Sequence, residues 1–277
     1  MQAISGTDRD NKELLDVALE AARAAASVIR DATSQREGLV WETKGRSDFV
    51  SAVDKASEQR IVEIVARRLP NALMLGEELS PDALSHSGLV VIADPLDGTT
   101  NFLHGIPHFS VSIAVEEKRP DGRPEITHSL VYQPLTDEGF WAEKGRGAWL
   151  QDRRLRVSAR RELADCVVGT GVPHCGRGVP EDWSKIYSAV APHVSGVRRF
   201  GSAALDFAWV AAGRMDGFWE DDLDPWDSGA GVLLVREAGG FVSDYRGSDR
   251  IFERREYIAA SSSIHSRLQK LIAGALR

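Results

Sequence analysis

The sequence is poor in cysteine, in long apolar runs and in blocks of basic residues. Only Cys166 and Cys175 are present, which is too few for a disulfide framework and is consistent with a reducing cytoplasm. No apolar run approaches the roughly 18 residues that a membrane span requires. Residues 1–10 carry acids early and lack the apolar segment of a signal peptide. These absences predict a cytoplasmic chain with no membrane partner.

The charge balance argues against a nucleic-acid-binding surface. Lys and Arg number 34 against 41 Asp and Glu, which gives a formal charge of −7. No Lys/Arg block overrides this excess, so nucleic acid is not an expected partner. The composition is otherwise ordinary for a globular protein, with 43% hydrophobic and 27% charged residues. A chain of 277 residues can bury a sizeable core.

Hydrophobic periodicity divides the chain into two halves. Apolar residues at helical spacing predict helices over about 10–30 and 51–69. Alternating apolar and polar residues over 109–147 predict a largely antiparallel sheet. Beyond that sheet, short strands alternate with helices. We therefore predict an N-terminal half, 1–160, and a C-terminal half, 161–277, that pack as one compact unit.

One stretch, Asp94-Pro95-Leu96-Asp97-Gly98-Thr99-Thr100-Asn101-Phe102, carries the clearest chemical signal. It follows the apolar segment 89–93, which is typical of a strand that is buried on both faces and ends before the first aspartate. The aspartates supply the hard oxygen ligands that Mg²⁺ prefers, and the Gly-Thr-Thr turn can hold an anion. The shorter pattern Asp-Pro-x-Asp-Gly alone would instead favour an ordinary Asx turn with a helix cap.

The full nine residues resemble the signature of the inositol monophosphatase family of Mg²⁺-dependent, lithium-sensitive phosphatases. Two more elements match the family in the expected order, Gly76-Glu77-Glu78 before this stretch and Trp226-Asp227-x-x-Ala230-Gly231 after it. By position, Asp227 also reads as a helix N-cap, because a long apolar helix follows it directly. The resemblance covers nearly the whole chain. It implies an α/β fold of the layered α+β kind, an alternating αβαβα sandwich of the inositol monophosphatase and fructose-1,6-bisphosphatase type.

The resemblance also implies two or three bound Mg²⁺ ions, with Asp94 shared between two of them. Their ligands would be Glu77, Asp94, the Leu96 carbonyl, Asp97 and Asp227. The implied catalytic residues are Glu77, Asp97 and Thr99, with Thr99 and Glu77 orienting the attacking water. Chemistry that does not depend on the family supports this assignment, because four carboxylates in one pocket would repel one another unless divalent cations compensate.

The substrate side of the site is implied in the same way. The matching positions are Gly98, Thr99, Thr100, Gly201, Ser202, Ala203 and Glu220. Glu220 falls where relatives carry an acid that binds a sugar hydroxyl, although Asp221 and Asp222 leave that choice open by one position. Lys44 and Asp54 match accessory positions near the metal loop. Without the family match, both would be read as solvated surface residues.

These features predict Mg²⁺-dependent hydrolysis of a small phosphate monoester, first of all myo-inositol 1-phosphate, by a homodimer. The same residues could serve histidinol phosphate, fructose 1,6-bisphosphate or 3′-phosphoadenosine 5′-phosphate, and Thr100 slightly favours the inositol branch. A function of a different class is an interaction protein for the transcription machinery, which some bacterial relatives also bind. The presence of every proposed ligand argues against a chain that has lost catalysis.

Overall fold

The computed structural model describes most of the chain in six stretches of residues. They are 6–34, 41–45, 48–79, 88–119, 121–173 and 178–277. None of the helices in these stretches combines the length and apolar character that would allow it to cross a bilayer.

Helices and strands alternate along the chain. The helices are α1 Gly6–Thr33, α2 Ala52–Arg68, α3 Thr99–His104, α4 Pro180–Val190, α5 Ala203–Ala211, α6 Pro225–Glu237, α7 Ile251–Arg254 and α8 Ser262–Ala275. The strands of the first half are β1 Trp41–Gly45, β2 Asp48–Ser51, β3 Leu73–Gly76, β4 Val90–Asp97, β5 Ser110–Lys118, β6 Pro124–Gln133, β7 Glu138–Glu143, β8 Gly147–Leu150 and β9 Arg153–Arg154. The strands of the second half are β10 Val167–Thr170, β11 Gly196–Arg198, β12 Gly217–Asp221, β13 Gly240–Ser243 and β14 Glu256–Ser261.

Two large sheets carry the architecture. The first has the order β3-β4-β5-β6-β7-β8-β9, and all of its neighbours are antiparallel except β3 and β4. The second has the order β11-β10-β12-β14-β13, with β10 parallel to both β11 and β12. Strands β1 and β2 form a separate antiparallel pair. The largely antiparallel first sheet matches the prediction from alternation over 109–147.

Alternating side chains along the central strands bury both faces of both sheets. In β5, Val111 and Ile113 pack with α1 and α2, whereas Ala114 packs with α5, α6 and the second sheet. In β12, Phe218 joins that same central core, whereas Trp219 packs on the far side with α4 and α8. The layers therefore run α1/α2, first sheet, α5/α6, second sheet, α4/α8. The predicted αβαβα sandwich is confirmed.

Strand β4 continues farther than the apolar pattern predicted. We expected it to end before Asp94, but Asp94 pairs with Ser112 and Asp97 pairs with Ser110 on β5. The register shifts between these two pairs, where Pro95 has no N–H to give to the ladder. Both aspartates therefore belong to the strand itself, and the irregularity falls between them.

Candidate active site

Glu77 and Asp94 lie at the ends of two neighbouring parallel strands. β3 and β4 pair with Gly76 opposite Ala93, and the N–H of Glu77 donates to the Ala93 carbonyl over 3.3 Å. Glu77 and Asp94 each follow one member of that pair, so the parallel register sets them side by side. Glu77 is half-buried, whereas Asp94 is only 2% exposed.

Helix α6 brings Asp227 to the same edge of the sheet. Ser112 of β5, the ladder partner of Asp94, donates its hydroxyl proton to the Trp226 carbonyl over 2.9 Å. This hydrogen bond joins the first turn of α6 to the strand position opposite Asp94. Asp227, the next residue, is buried there.

The prediction that Asp227 is the N-cap of this helix was wrong. Asp224 is the N-cap, Pro225 is the first helical residue, and Asp227 is the third. One oxygen of Asp227 accepts the N–H of Asp224 over 2.8 Å, which completes a capping box. Proline suits the first helical position because its missing N–H would have no partner there. The helix therefore begins two residues earlier than the apolar run indicates.

Three carboxylates lie close enough to Asp94 to affect its ionisation. Burial raises the pKa of Asp94 well above its ordinary value, and the nearby charges of Glu77, Asp97 and Asp227 raise it further. A hydrogen bond from the Leu96 N–H to Asp94 Oδ1, at 2.8 Å, acts in the opposite direction. This edge of the sheet thus concentrates negative charge where water is largely excluded.

Asp97 faces the start of helix α5. Its oxygens accept hydrogen bonds from the N–H of Ala203 at 3.2 Å, the N–H of Ala204 at 2.9 Å and the hydroxyls of Ser202 and Ser110. Burial raises the pKa of Asp97, while these four hydrogen bonds lower it. Asp97 therefore connects the acid cluster to the Gly201-Ser202-Ala203 turn.

The chemistry of this donor set fits a hard divalent cation. Four buried or half-buried carboxylates offer only oxygen, which Mg²⁺ prefers, and their mutual repulsion would be relieved by positive charge. Within the described stretches, no three His, Cys, Asp or Glu side chains converge closely enough to define a metal site by themselves. Asp97 and Asp227 instead direct oxygens toward backbone N–H groups. The fit therefore rests on the kind and charge of the donors.

Thr99 links the main motif to helix α2. Its hydroxyl donates to Asp54 Oδ1 over 2.9 Å and also lies 3.1 Å from the Leu96 carbonyl oxygen. Asp54 is 1% exposed, so the solvated alternative for this residue does not hold. Lys44 belongs to β1, and its side chain lies outside the described part of the chain.

The turns that carry Gly98 and Gly201 touch each other. Gly98 has a φ of +98°, and a Cβ there would lie 3.1 Å from the Gly201 carbonyl oxygen. Gly201 itself has a φ of +85°. Thr100, the next motif residue toward α3, is exposed. Two turns that are distant in sequence therefore meet with little room for side chains between them.

A sequence profile described as the inositol monophosphatase family matches residues 10–277. The chain belongs to that family. It is 44% identical to an inositol-1-monophosphatase of Rhizobium meliloti over 94% of this chain and 96% of that protein. It is 42% identical to a Nus factor SuhB of Pseudomonas aeruginosa over 90% and 92% of the two chains. A crystal structure of the extragenic suppressor protein suhB from Bartonella henselae superimposes with a TM-score of 0.86 at 44% identity, over 94% of this chain and 98% of that one.

Glu220, which the sequence predicts to bind the substrate, lies in the second sheet. Glu220 is half-buried on β12 and shares a strand face with Phe218, toward the central core. A Cβ at Gly171 would lie 1.9 Å from Glu220 Oε1, so this glycine leaves room for the carboxylate. Gly171, Glu220, Asp221 and Asp222 line one cleft.

Asp206 of α5 is a buried acid near Glu220 that the sequence pattern did not single out. It is 1% exposed, and its Oδ1 has no hydrogen-bond partner among the described residues. Burial raises its pKa well above the ordinary value, and the charges of Glu220 and Asp97 add to that shift. The charge of Arg199 acts the other way. Asp206 therefore lies close enough to both Asp97 and Glu220 for their charges to affect its ionisation.

Glu58 of α2 is a second residue that sequence reasoning missed. Its fully buried carboxylate accepts the N–H groups of Glu78 at 2.7 Å and Leu79 at 2.9 Å. It thereby holds the segment that follows Glu77. A signal was present, since Glu58 lies three residues before the buried Ile61 on the same helix face. A charged residue on an apolar helix stripe is expected to have a buried partner.

Proposed function

We propose that this phosphatase carries out Mg²⁺-dependent hydrolysis of a small phosphate monoester, with myo-inositol 1-phosphate as its first substrate. The observation that carries the proposal is the meeting of Glu77, Asp94, Asp97 and Asp227 at one buried edge, where Asp94 feels the charge of the other three. With the Leu96 carbonyl, these residues would hold the metal. Bound Mg²⁺ would supply positive charge for the attacking and leaving oxygens of an in-line displacement.

The protein's own groups would orient the attacking water. The Thr99 hydroxyl donates a hydrogen bond to Asp54, so the Thr99 oxygen keeps lone pairs that can accept a hydrogen bond from water. Glu77 would hold the same water from β3. Asp54 then acts as a positioning residue, because it fixes the direction of the Thr99 hydroxyl.

The phosphate and the alcohol would be held by different elements. The N–H groups of Gly98, Thr99 and Thr100, at the start of α3, have no carbonyl partner within that first helical turn, so they and the Thr100 hydroxyl can donate to phosphate oxygens. The Gly201–Ala203 turn and Glu220 would contact the alcohol portion. Because separate elements contact the two parts of the substrate, contacts to the alcohol would determine specificity. Contacts to the phosphate would position the group that reacts.

Release of phosphate from a generic monoester, with and without Mg²⁺, tests this reaction class. We expect release only when Mg²⁺ is present, and the chelator EDTA should abolish it reversibly. Equal release in both conditions would overturn the metal-dependent proposal, provided that a Glu77→Gln variant excludes a contaminating phosphatase by being inactive.

Glu220→Gln should change substrate choice more than chemistry. A buried acceptor that is matched to a hydroxyl discriminates by hydrogen bonding, and the amide offers a donor where the substrate also donates. We expect KM for inositol 1-phosphate to rise several-fold, while hydrolysis of a small ester without ring hydroxyls keeps its kcat. Steady-state kinetics on both substrates measure the difference.

Asp221→Asn is the matched control for that variant, because Asp221 is the next acid on β12, a strand in which successive side chains alternate between the two faces of the sheet. It should leave both substrates nearly unchanged. If Glu220→Gln slows both substrates equally, Glu220 belongs with the catalytic residues. If only Asp221→Asn raises KM for inositol 1-phosphate, the substrate-binding acid is Asp221 and the assignment to Glu220 is wrong by one position.

Lithium should inhibit phosphate release at millimolar concentration, and excess Mg²⁺ should also inhibit. The family resemblance implies both effects for a site in which one divalent ion is held more weakly than the other. A lithium titration at fixed substrate and Mg²⁺ measures the inhibition. Activity that stays constant across the titration would contradict the proposed division into strongly and weakly held ions.

A second candidate function is a role with the transcription machinery. Its specific support is the name of relatives such as the Nus factor SuhB of Pseudomonas aeruginosa, which is 42% identical to this chain. The net charge of −7 favours a protein partner over nucleic acid. Binding of the chain to purified RNA polymerase on a biosensor provides the test. Binding by the Asp97→Asn variant, whose kcat is expected to be low, would separate this role from catalysis. Absence of binding at micromolar concentration would end this candidate.

We also propose that the enzyme is a cytoplasmic homodimer, as the resemblance implies. Light scattering after gel filtration should give twice the chain mass of 30.3 kDa, and a mass of one chain would contradict the dimer. In fractionated cells, activity that sediments with membranes would contradict the assignment to the cytoplasm.

A further inference from the structure

Asn101 reaches from the main motif to the substrate turn on the other half of the chain. It is 3% exposed in α3. Its amide nitrogen donates to the His108 carbonyl at 2.7 Å and to the Phe200 carbonyl at 2.8 Å, and it lies 3.4 Å from the Gly201 carbonyl oxygen. The Asn101 side chain therefore binds the backbone after the main motif, at His108, and the backbone at the start of the substrate turn, at Phe200.

These hydrogen bonds set the direction of consecutive peptide groups. Phe200 and Gly201 directly precede Ser202, the N-cap of α5. When their carbonyls point toward Asn101, the N–H groups of the same planar peptides point away from it. The next two N–H groups, of Ala203 and Ala204, bind Asp97. Asn101 thus binds the carbonyls at the start of the turn, and Asp97 binds the N–H groups of Ala203 and Ala204 that follow it.

An amide is suited to this position. Its NH₂ group carries two protons, and the two short hydrogen bonds use both of them. A hydroxyl has one proton, and a carboxylate has none. His108 packs its ring against Phe200 and Trp209, with ring centroids 5.1 Å and 5.0 Å apart, so the turn also rests on an aromatic cluster.

We propose that Asn101 is a positioning residue that fixes the Phe200–Ser202 turn against the main motif, and so sets where Asp97 and the alcohol portion of the substrate lie. The proposal rests on the proposed function for its catalytic consequence. Its structural consequence, the order of the turn, does not depend on that function. Small displacements of positioned groups can lower turnover by as much as about a hundredfold.

Asn101→Ala tests the proposal, with Asn101→Ser as a gentler variant that keeps one donor. Amide hydrogen exchange followed by mass spectrometry reports on the 200–206 peptide, which contains the Ala203 and Ala204 N–H groups. We expect exchange in this peptide to rise at least about tenfold in Asn101→Ala and less in Asn101→Ser. We expect kcat for inositol 1-phosphate to fall by about tenfold or more in the alanine variant, and KM to rise.

Gln269→Ala is the matched control. Gln269 of α8 also donates an amide proton to a backbone carbonyl, that of Tyr245 at 3.0 Å, on the far side of the second sheet. Gln269→Ala should lower the thermal midpoint by about as much as Asn101→Ala does. Its kcat and its exchange in the 200–206 peptide should stay at the wild-type values.

The results separate a positioning role from a structural one. If Asn101→Ala and Gln269→Ala lose similar stability and neither changes kcat or exchange at 200–206, the proposal is overturned. If Asn101→Ala does not fold, Asn101→Ser decides by the same two measurements. If the wild-type protein releases no phosphate, the proposed function fails by itself, and the exchange comparison still accepts or rejects the positioning role.

Discussion

Asp97→Asn is expected to lower kcat at saturating Mg²⁺ by about 10²-fold or more while the protein stays folded. The substitution keeps the size of the side chain but removes one proposed anionic ligand. Oδ2 now accepts protons from Ser202 and Ala204, and Oδ1 accepts one from Ala203, so an NH₂ group in either place would face at least one donor. A donor facing donors would weaken the link between the acid cluster and the substrate turn.

Asp244→Asn is the matched control for this loss. Asp244 is also a fully buried aspartate that accepts backbone N–H groups, those of Arg246 at 2.9 Å and Ser248 at 2.8 Å, in a turn after β13. We expect it to reduce thermal stability without changing kcat by more than about twofold, because it touches no part of the proposed site. Near-normal kcat for Asp97→Asn would refute the metal-ligand assignment, and equal losses in both variants would point to a general effect of stability.

Gly231→Ala should destabilise the fold by about 2 kcal/mol. Gly231 lies in α6 where that helix crosses α5, and a Cβ there would lie 2.4 Å from Phe207 Cβ and 2.5 Å from Phe207 Cγ. The Phe207 Cβ cannot turn away, because it is fixed to the backbone. Overpacking of this kind costs about 1–3 kcal/mol or more, which exceeds the roughly 1 kcal/mol that alanine gains over glycine in a helix.

Gly274→Ala in α8 is its control, since a Cβ at Gly274 would meet nothing within 4 Å. Chemical denaturation should show a lower free energy of unfolding for Gly231→Ala, and no loss for Gly274→Ala. Equal stability of the two variants would mean that α5 and α6 are not packed as closely as described. Helix packing thus explains the glycine of the second motif, whereas we propose a metal-binding role for the aspartate that precedes it.

Periodicity predicted the elements whose burial is regular. The helices over 10–30 and 51–69 were expected from their apolar spacing and are present as α1 and α2. The alternation predicted over 109–147 shows directly in the two cores that flank β5. The start of α6 was mispredicted because Asp224 and Asp227 are both acceptable caps, and only the fold shows which N–H each one receives. Strand β4 was predicted too short because Pro95 and two acids interrupt its apolar run.

The site was predictable where the ligands are carried by motifs, and less so where partners come from distant segments. Glu58 and Asn101 each have a partner that is 20 or more positions away in sequence, as in the bond from Glu78 to Glu58 and that from Asn101 to Phe200. No local pattern encodes such a pairing. Asp54 is similar, because its burial follows from the meeting of α2 with the turn that contains Thr99.

A panel of four phosphate monoesters, compared by kcat/KM with and without Mg²⁺, tests the central claim most directly. The four are myo-inositol 1-phosphate, histidinol phosphate, fructose 1,6-bisphosphate and 3′-phosphoadenosine 5′-phosphate. We predict Mg²⁺-dependent turnover with the highest kcat/KM for inositol 1-phosphate, and loss of that turnover in Asp97→Asn. Higher kcat/KM for another ester would contradict the substrate assignment, and turnover that survives both removal of Mg²⁺ and Asp97→Asn would contradict the proposed site itself.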